Sequence, residues 1–363
     1  FNKEVYIKMN STLEQAQSNK IKARAGFVPA IILFFLAPLS AEYIIGYLEY
    51  TGNLGLSLAG LVILAPLYGG PALIIREVAR KTGRGWLTII ILAFAFGLLQ
   101  AGLIDHSLFD KSYEGIEDWE DTMNPTLIPF LEISAGNALN FIVGHVIWSI
   151  SVPIAIVEGC FPSRRLEPWL SKKGLFITLL LWGIAAGLVF MDTDTSPLTI
   201  QQFIGAGTII VVLVYTAVVV GKRARPKRCC KVPSYPVVGT VTLLLLSFCT
   251  ILEICLNTIN ENVGSDFIIS WGGVAVQLLV YIMLACIIIQ WSKGEQWSIL
   301  HQAAVAGGAL LTRAWVAFLV MPIGDVPLKA KFMHNTVFLL GTIAILAVAT
   351  YRIRKEGYLS DGG

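Results

Sequence analysis

Ten long apolar stretches constrain this chain more than anything else in it. They cover residues 27–48, 54–75, 86–104, 137–161, 174–191, 199–221, 236–257, 267–291, 296–322 and 335–351. A helix needs about 20 mainly apolar residues to cross roughly 30 Å of hydrocarbon, and these stretches have that length. Runs such as 207–220, GTIIVVLVYTAVVV, are apolar on every face, whereas the strands of a membrane barrel alternate apolar with polar. A soluble fold of 363 residues cannot cover a 55% hydrophobic chain with only 14% charged residues, and the same figures exclude disorder and a disulfide scaffold. The expected fold class is all-α, a polytopic transmembrane helical bundle of about ten spans.

Basic residues set the expected orientation, because Lys and Arg are retained on the cytoplasmic side. With both termini inside, 23 of the 27 basic residues fall in cytoplasmic segments, leaving Lys111, Lys329 and Lys331 in outer loops and Arg313 within a span. Acidic residues lean the other way: Asp105, Asp110, Glu114, Glu117, Asp118, Glu120 and Asp121 crowd the loop after the third span. The chain then divides into a cytoplasmic tail at 1–26, one transmembrane domain at 27–351 with an acidic outer loop at about 105–135, and a cytoplasmic tail at 352–363. The first 26 residues are polar and the first apolar run is long enough to span, so no cleavable signal peptide is expected. Integration in the plasma (inner) membrane of a bacterium is the expected location.

The net charge of +3 follows from this sidedness and implies no nucleic-acid partner. The basic run Lys222, Arg223, Arg225, Lys227 and Arg228 reads first as a topology anchor and second as a site for anionic lipid. Cys229 and Cys230 sit beside it, where acylation occurs in other membrane proteins. Ten spans split into five and five, the parity of an inverted repeat. Pro66, Gly69, Gly70 and Pro71 interrupt the second span, yet its counterpart, the seventh, has no breaker, which counts against inverted-repeat transport.

Ionisable groups inside a bilayer are expensive and usually face the bundle interior, where they pair or serve a pathway. Counted at 1.5 Å per residue, Glu42, Gln100, Glu253 and Arg313 each lie roughly 21 to 26 Å from their inner ends. His145 lies about 12 Å below the outer end of the fourth span, with Asn140 above it. These groups from five helices therefore share the outer third of the membrane. One reading neutralises Arg313 with Glu253 or Glu42 and ends there. The other leaves a carboxylate and His145 for proton chemistry, with His145, Glu42 and Glu253 as catalytic candidates and Arg313, Gln100 and Asn140 as substrate-binding or pairing groups. A second group, Arg76, Glu77, Arg80, Glu158 and His301, is expected at the inner interface, where snorkelling makes charge cheap. The histidines, His106, His145, His301 and His334, are far apart, and no Cys-x-x-Cys or His-Glu-x-x-His occurs, so no metal ligand and no cofactor is assigned.

At 141–145, FIVGH places Phe and His with three residues between them within a membrane helix, which resembles the second motif of the CAAX protease and bacteriocin-processing family of intramembrane proteins. That family carries a Glu-Glu pair and an Arg on the preceding helix, and its glutamates activate water for peptide cleavage. Here Gln100 and Ala101 occupy the place of the pair and Asp105 that of the Arg. The third motif also fails, since His301 is followed by Val305 and His334 by Phe338 at the fourth position. Only Phe141 and His145 carry over, so hydrolysis of this kind would need Glu42 or Glu253 as its base. The segments 67–86 and 145–170 also resemble uncharacterised bacterial membrane proteins. The functional expectations are an intramembrane hydrolase-like protein or its non-catalytic relative, a transporter or ligand-binding membrane protein, and a structural subunit of a membrane complex.

Overall fold

The computed structural model describes residues 27–110, 119–192, 198–220, 230–264 and 266–357. Residues 1–26, residues 358–363 of the other tail, Lys111, the acidic Glu114, Glu117 and Asp118 of the outer loop, the basic run 222–228 and Cys229 lie outside the described residues. Ten long helices occur among those described: α1 (Phe27–Tyr43), α2 (Leu54–Lys81), α3 (Trp86–Ile104), α4 (Ala135–Cys160), α5 (Lys172–Asp192) and α6 (Ile200–Val220), then α7 (Tyr235–Val263), α8 (Phe267–Ser292), α9 (Ile299–Val316) and α10 (Leu328–Lys355). All but α1 and α9 are long and apolar enough to cross a bilayer. The protein is a multi-pass membrane protein, and its described residues are nearly all-α.

Each helix corresponds to one of the ten apolar stretches, with two instructive differences. Pro66, Gly69, Gly70 and Pro71 do not break α2. The chain widens into a π-helical turn at Ala65–Gly69 and continues to Lys81. A π turn opens the backbone by one residue, so the missing N–H of a proline is absorbed without ending the helix. Lys329 and Lys331 belong to α10 rather than to a loop. Pro327 caps that helix, and Lys331, 1% exposed, donates from Nζ to the Ala317 carbonyl at 2.8 Å beside Asn335 Nδ2 at 2.9 Å. Both side chains serve one carbonyl, that of Ala317 at the end of α9.

The helices form a buried centre and an exposed rim. Of the apolar windows in α3 and α4, 61% and 56% are buried, against 11% in α5 and α6. At the centre, α9 packs between α7 and α10 and against α4. On the rim, α6 lies on α3 and α5 on α2. The rim presents Phe176, Leu180, Ile184, Val211 and Tyr215 outward, as lipid contact requires. Two glycines allow the closest approaches at the centre. A Cβ on Gly69 would drive into the Phe34 carbonyl of α1, and one on Gly97 would meet His145 Cβ of α4 at 3.2 Å.

At one end of the bundle the expected interfacial charges are instead sealed. Arg76 and Glu77 are 0% exposed and Glu158 is 2% exposed. Arg76 Nε donates to Glu158 at 3.1 Å and Nη1 to Glu77 at 2.8 Å, while Arg80 grips both oxygens of Glu158 at 2.8 and 2.6 Å. Arg76 also donates to the carbonyls of Glu167 and Arg165, its guanidinium carbon lies 3.4 Å from the Trp169 ring centroid, and Glu77 accepts the backbone N–H groups of Trp169 and Leu170. The α4–α5 loop thus closes over the charges and supplies the partners that water would have supplied. His301 stands apart, bonded to Ser298 and the Pro233 carbonyl and stacked on Trp297.

Candidate functional site

Four helices change geometry where the candidate residues lie. Besides the turn in α2, π turns occur at Leu39–Tyr43 in α1, Gln100–Ile104 in α3 and His145–Ser151 in α4. Each carries a polar side chain: Glu42 in α1, Tyr68 in α2, Gln100 in α3 and His145 in α4. Turns of this kind leave part of the backbone ladder loose and re-aim side chains, and they recur at functional sites. The π turns of α1 and α2 both pack on that of α4. Ser40 Oγ ties two of them together by donating to the Trp148 carbonyl.

Arg313 enters this layer from α9. Its guanidinium carbon sits 4.2 Å from the centroid of the Trp148 ring, whose own Nε1 is fixed on the Ala309 carbonyl at 2.9 Å. Glu42, Glu253, Tyr47 and Tyr281 are its electrostatic neighbours, yet among the described residues neither carboxylate comes within the 4.0 Å of an ion pair. Its Nε is buried without a hydrogen-bond partner. Glu42 accepts from Tyr47 Oη at 2.6 Å and lies beside Tyr68. The His145 ring stacks on Tyr68 with centroids 5.8 Å apart, meets Phe96 edge-on at 5.6 Å, bonds Ser149 through Nδ1 at 3.0 Å and feels the charge of Arg313.

Gln100 reaches the layer indirectly. It is 1% exposed and donates from Nε2 to Asp105 at 3.2 Å, leaving Oε1 buried and unpartnered. Asp105, just beyond the end of α3, also accepts the Ser107 N–H at 3.0 Å and its hydroxyl at 2.7 Å. Burial pushes the Asp105 carboxyl above the usual carboxylate range, and these three bonds offset part of that rise. The next residue, His106, adopts a left-handed backbone with φ 61° and packs edge-on against Phe190, where burial lowers its imidazole pKa. Asn140 Oδ1 is likewise buried and unpartnered, and no hydrogen bond joins it to the other candidates.

The structure therefore gathers Glu42, His145, Glu253 and Arg313 around one guanidinium, connects Gln100 through Asp105, and leaves Asn140 one helical turn away. Sequence reasoning passed over Tyr47, Tyr68, Trp148 and Tyr281, because sorting by depth considered only charged, imidazole and amide side chains. The helix-breaking pair Pro66 and Pro71 around Tyr68 was the available signal. Above the layer, the β-hairpin of β1 (Leu127–Ile128) and β2 (Ile133–Ser134) closes the start of α4. Phe141, the other residue of the Phe-x-x-x-His pattern, stacks on Trp119 at 6.0 Å with rings 6° from parallel, while Trp119 Nε1 donates to the Asp110 carbonyl. Among the described residues no group of three His, Cys, Asp or Glu side chains is placed to hold a metal.

The family model of an uncharacterised membrane protein family matches residues 31–355. No curated protein and no solved structure matches the chain.

Proposed function

Because the chain belongs to that uncharacterised membrane protein family, we propose a function from the site itself: a membrane ligand-binding protein, of the carrier or receptor kind, whose site is the polar layer around Arg313. The observation that carries this reading is the unsaturated Arg313, held on Trp148 with a buried Nε that nothing accepts. A desolvated guanidinium without an ion pair is costly unless a further acceptor completes it. The unpartnered Gln100 Oε1 and the half-buried Glu42 and Glu253 add acceptors for donor groups. The ligand that satisfies both sets is a small zwitterionic or hydroxylated anion, with its acceptor group on Arg313 and its donors on the carboxylates. Tyr68, Phe96 and Trp148 would cover its apolar part. In this reading the ten helices all cross the plasma membrane of a bacterium, both termini are cytoplasmic, and the polar layer lies in the outer third.

A second reading, intramembrane hydrolysis, is favoured by His145 sharing Arg313 as a neighbour with both carboxylates. It requires Glu42 or Glu253 to come within hydrogen-bond reach of a water beside His145. The two readings separate in one experiment. Full-length protein and its Arg313→Met variant are purified, and the small molecules each retains are extracted and measured by mass spectrometry. Binding predicts a polar metabolite that leaves with the Arg and remains in His145→Ala. Equal extracts from wild type and Arg313→Met contradict it. Peptide or ester cleavage in lipid vesicles that disappears in His145→Ala supports hydrolysis.

A further inference from the structure

A second recognition site, independent of the polar layer, lies near the opposite ends of α7, α9 and α10. A groove of about 250 Å³ runs between α7 and α10 with α9 as its floor. The floor is made of small residues, Ala303, Ala304, Gly307 and Gly308, with Gly308 packed on the Gly239 carbonyl of α7 and Gly307 on Leu346 of α10. Thr240 and Leu243 of α7 form one wall, and Leu346 and Thr350 of α10 the other. From Tyr235 to Leu243 the groove follows eight residues of helix, roughly 12 Å at 1.5 Å per residue. That is a slot for an extended hydrocarbon chain lying along the helices, and it is too apolar for a polar solute.

The mouth of the slot is polar and positively charged. Arg354, exposed at the end of α10, donates to the Tyr235 hydroxyl and lies over the Tyr235 ring, its guanidinium carbon 5.6 Å from the centroid. Lys355 and Lys231 are exposed nearby in the chain. Of the neighbouring acids, Glu356 is engaged by Arg352 at 3.6 Å and by the Ser163 N–H at 3.0 Å, so it does not neutralise Arg354. Guanidinium and phenol hydroxyl converging at the end of an apolar slot match a phosphate joined to an acyl chain.

We infer that the α7–α9–α10 groove holds one acyl chain of an anionic phospholipid, with its phosphate on Arg354 and the Tyr235 hydroxyl. The lipid comes from the leaflet that meets the first turn of α7 and the last turn of α10. The site requires no residue of the Arg313 layer, so either can fail without the other. It also differs from the basic run 222–228, which lies outside the described residues.

Native mass spectrometry of the full-length protein, released from micelles doped with equal amounts of phosphatidylglycerol and phosphatidylcholine, tests the inference. Wild type is expected to keep one phosphatidylglycerol at several-fold higher occupancy than phosphatidylcholine. Thr240→Trp and Thr350→Trp fill the slot from opposite walls at positions that are not in the sealed core, and each should abolish retention with an unchanged unfolding midpoint. Arg354→Gln should leave residual retention with no preference between the two headgroups. Equal retention of both lipids by wild type overturns the inference, as does retention that survives both tryptophan variants.

Discussion

Two charged clusters stand at opposite ends of the same bundle, and they are built by opposite rules. Around Glu158 the demand of every charge is met: two guanidiniums share one carboxylate, Glu77 caps two backbone N–H groups, and carbonyls of the α4–α5 loop take the remaining donors. Around Arg313 the supply is open: the Nε is buried and unpartnered, two carboxylates stand off beyond ion-pair distance, and Gln100 keeps a free acceptor. Complete satisfaction makes a cluster a fastener. Incomplete satisfaction, in a layer where four helices carry π turns, leaves hydrogen-bonding capacity open.

The sharpest way to break this comparison is to remove the centre of the sealed cluster. Glu158→Gln leaves Arg80 buried without a countercharge and Arg76 with Glu77 alone, and loss of one partner from a buried pair costs about 3–5 kcal/mol. Thermal unfolding of the purified protein should show the largest drop of any variant considered, together with new proteolytic cutting in the loop 161–171. An unfolding midpoint close to wild type would mean that the sealed cluster fastens nothing.

Gly69→Ala strikes the frame of the open layer instead. The added Cβ meets the Phe34 carbonyl, which is backbone and cannot swing aside. Overpacking of this type costs about 1–3 kcal/mol. The π turns of α1 and α2 would separate, so retention of the bound metabolite should weaken more than stability does. Unchanged retention would detach the π turns from the site.

Asp105→Asn is expected to have the smallest effect, and one that depends on pH. The folded carboxyl titrates above its unfolded value, so the native state holds more protons between the two. Stability conferred by the wild-type residue is therefore greatest at acid pH and declines as pH rises from the ordinary carboxylate value through the folded one. The amide removes that decline. Gln100 can follow by turning its unpartnered Oε1 toward the new Nδ2. Unfolding midpoints collected from pH 4 to pH 8 should slope less for the variant than for wild type, and parallel slopes would count against a buried Asp105.

The helices were legible because hydrophobicity over about 20 residues is a one-dimensional signal. The proximity of Glu42, His145, Glu253 and Arg313 was legible too, since depth follows from the rise per residue once the helices are known. The π turns were not. Pro66 looks the same whether it ends a helix or widens one, and the choice falls to packing of Gly69 on Phe34. Counting from helix ends also misjudged Arg76 and Glu158. It placed them at the right end of the bundle, but whether an interfacial charge meets water or a folded loop depends on where Trp169 and Leu170 land. Lys331 shows the same limit: a lysine read as loop is a buried cap, because the carbonyl it serves belongs to another helix.

One paired measurement reaches the centre of the account. Arg76→Met and Arg313→Met make the same chemical change, a guanidinium to a thioether of similar reach, in the two clusters. In ligand-free detergent, the unfolding midpoint of Arg76→Met should fall well below wild type, while Arg313→Met should stay level or rise, because no described carboxylate lies within ion-pair distance of the charge it removes. Equal falls in the two variants would show that Arg313 is as fully engaged as Arg76, and the proposed binding layer would then be another fastener.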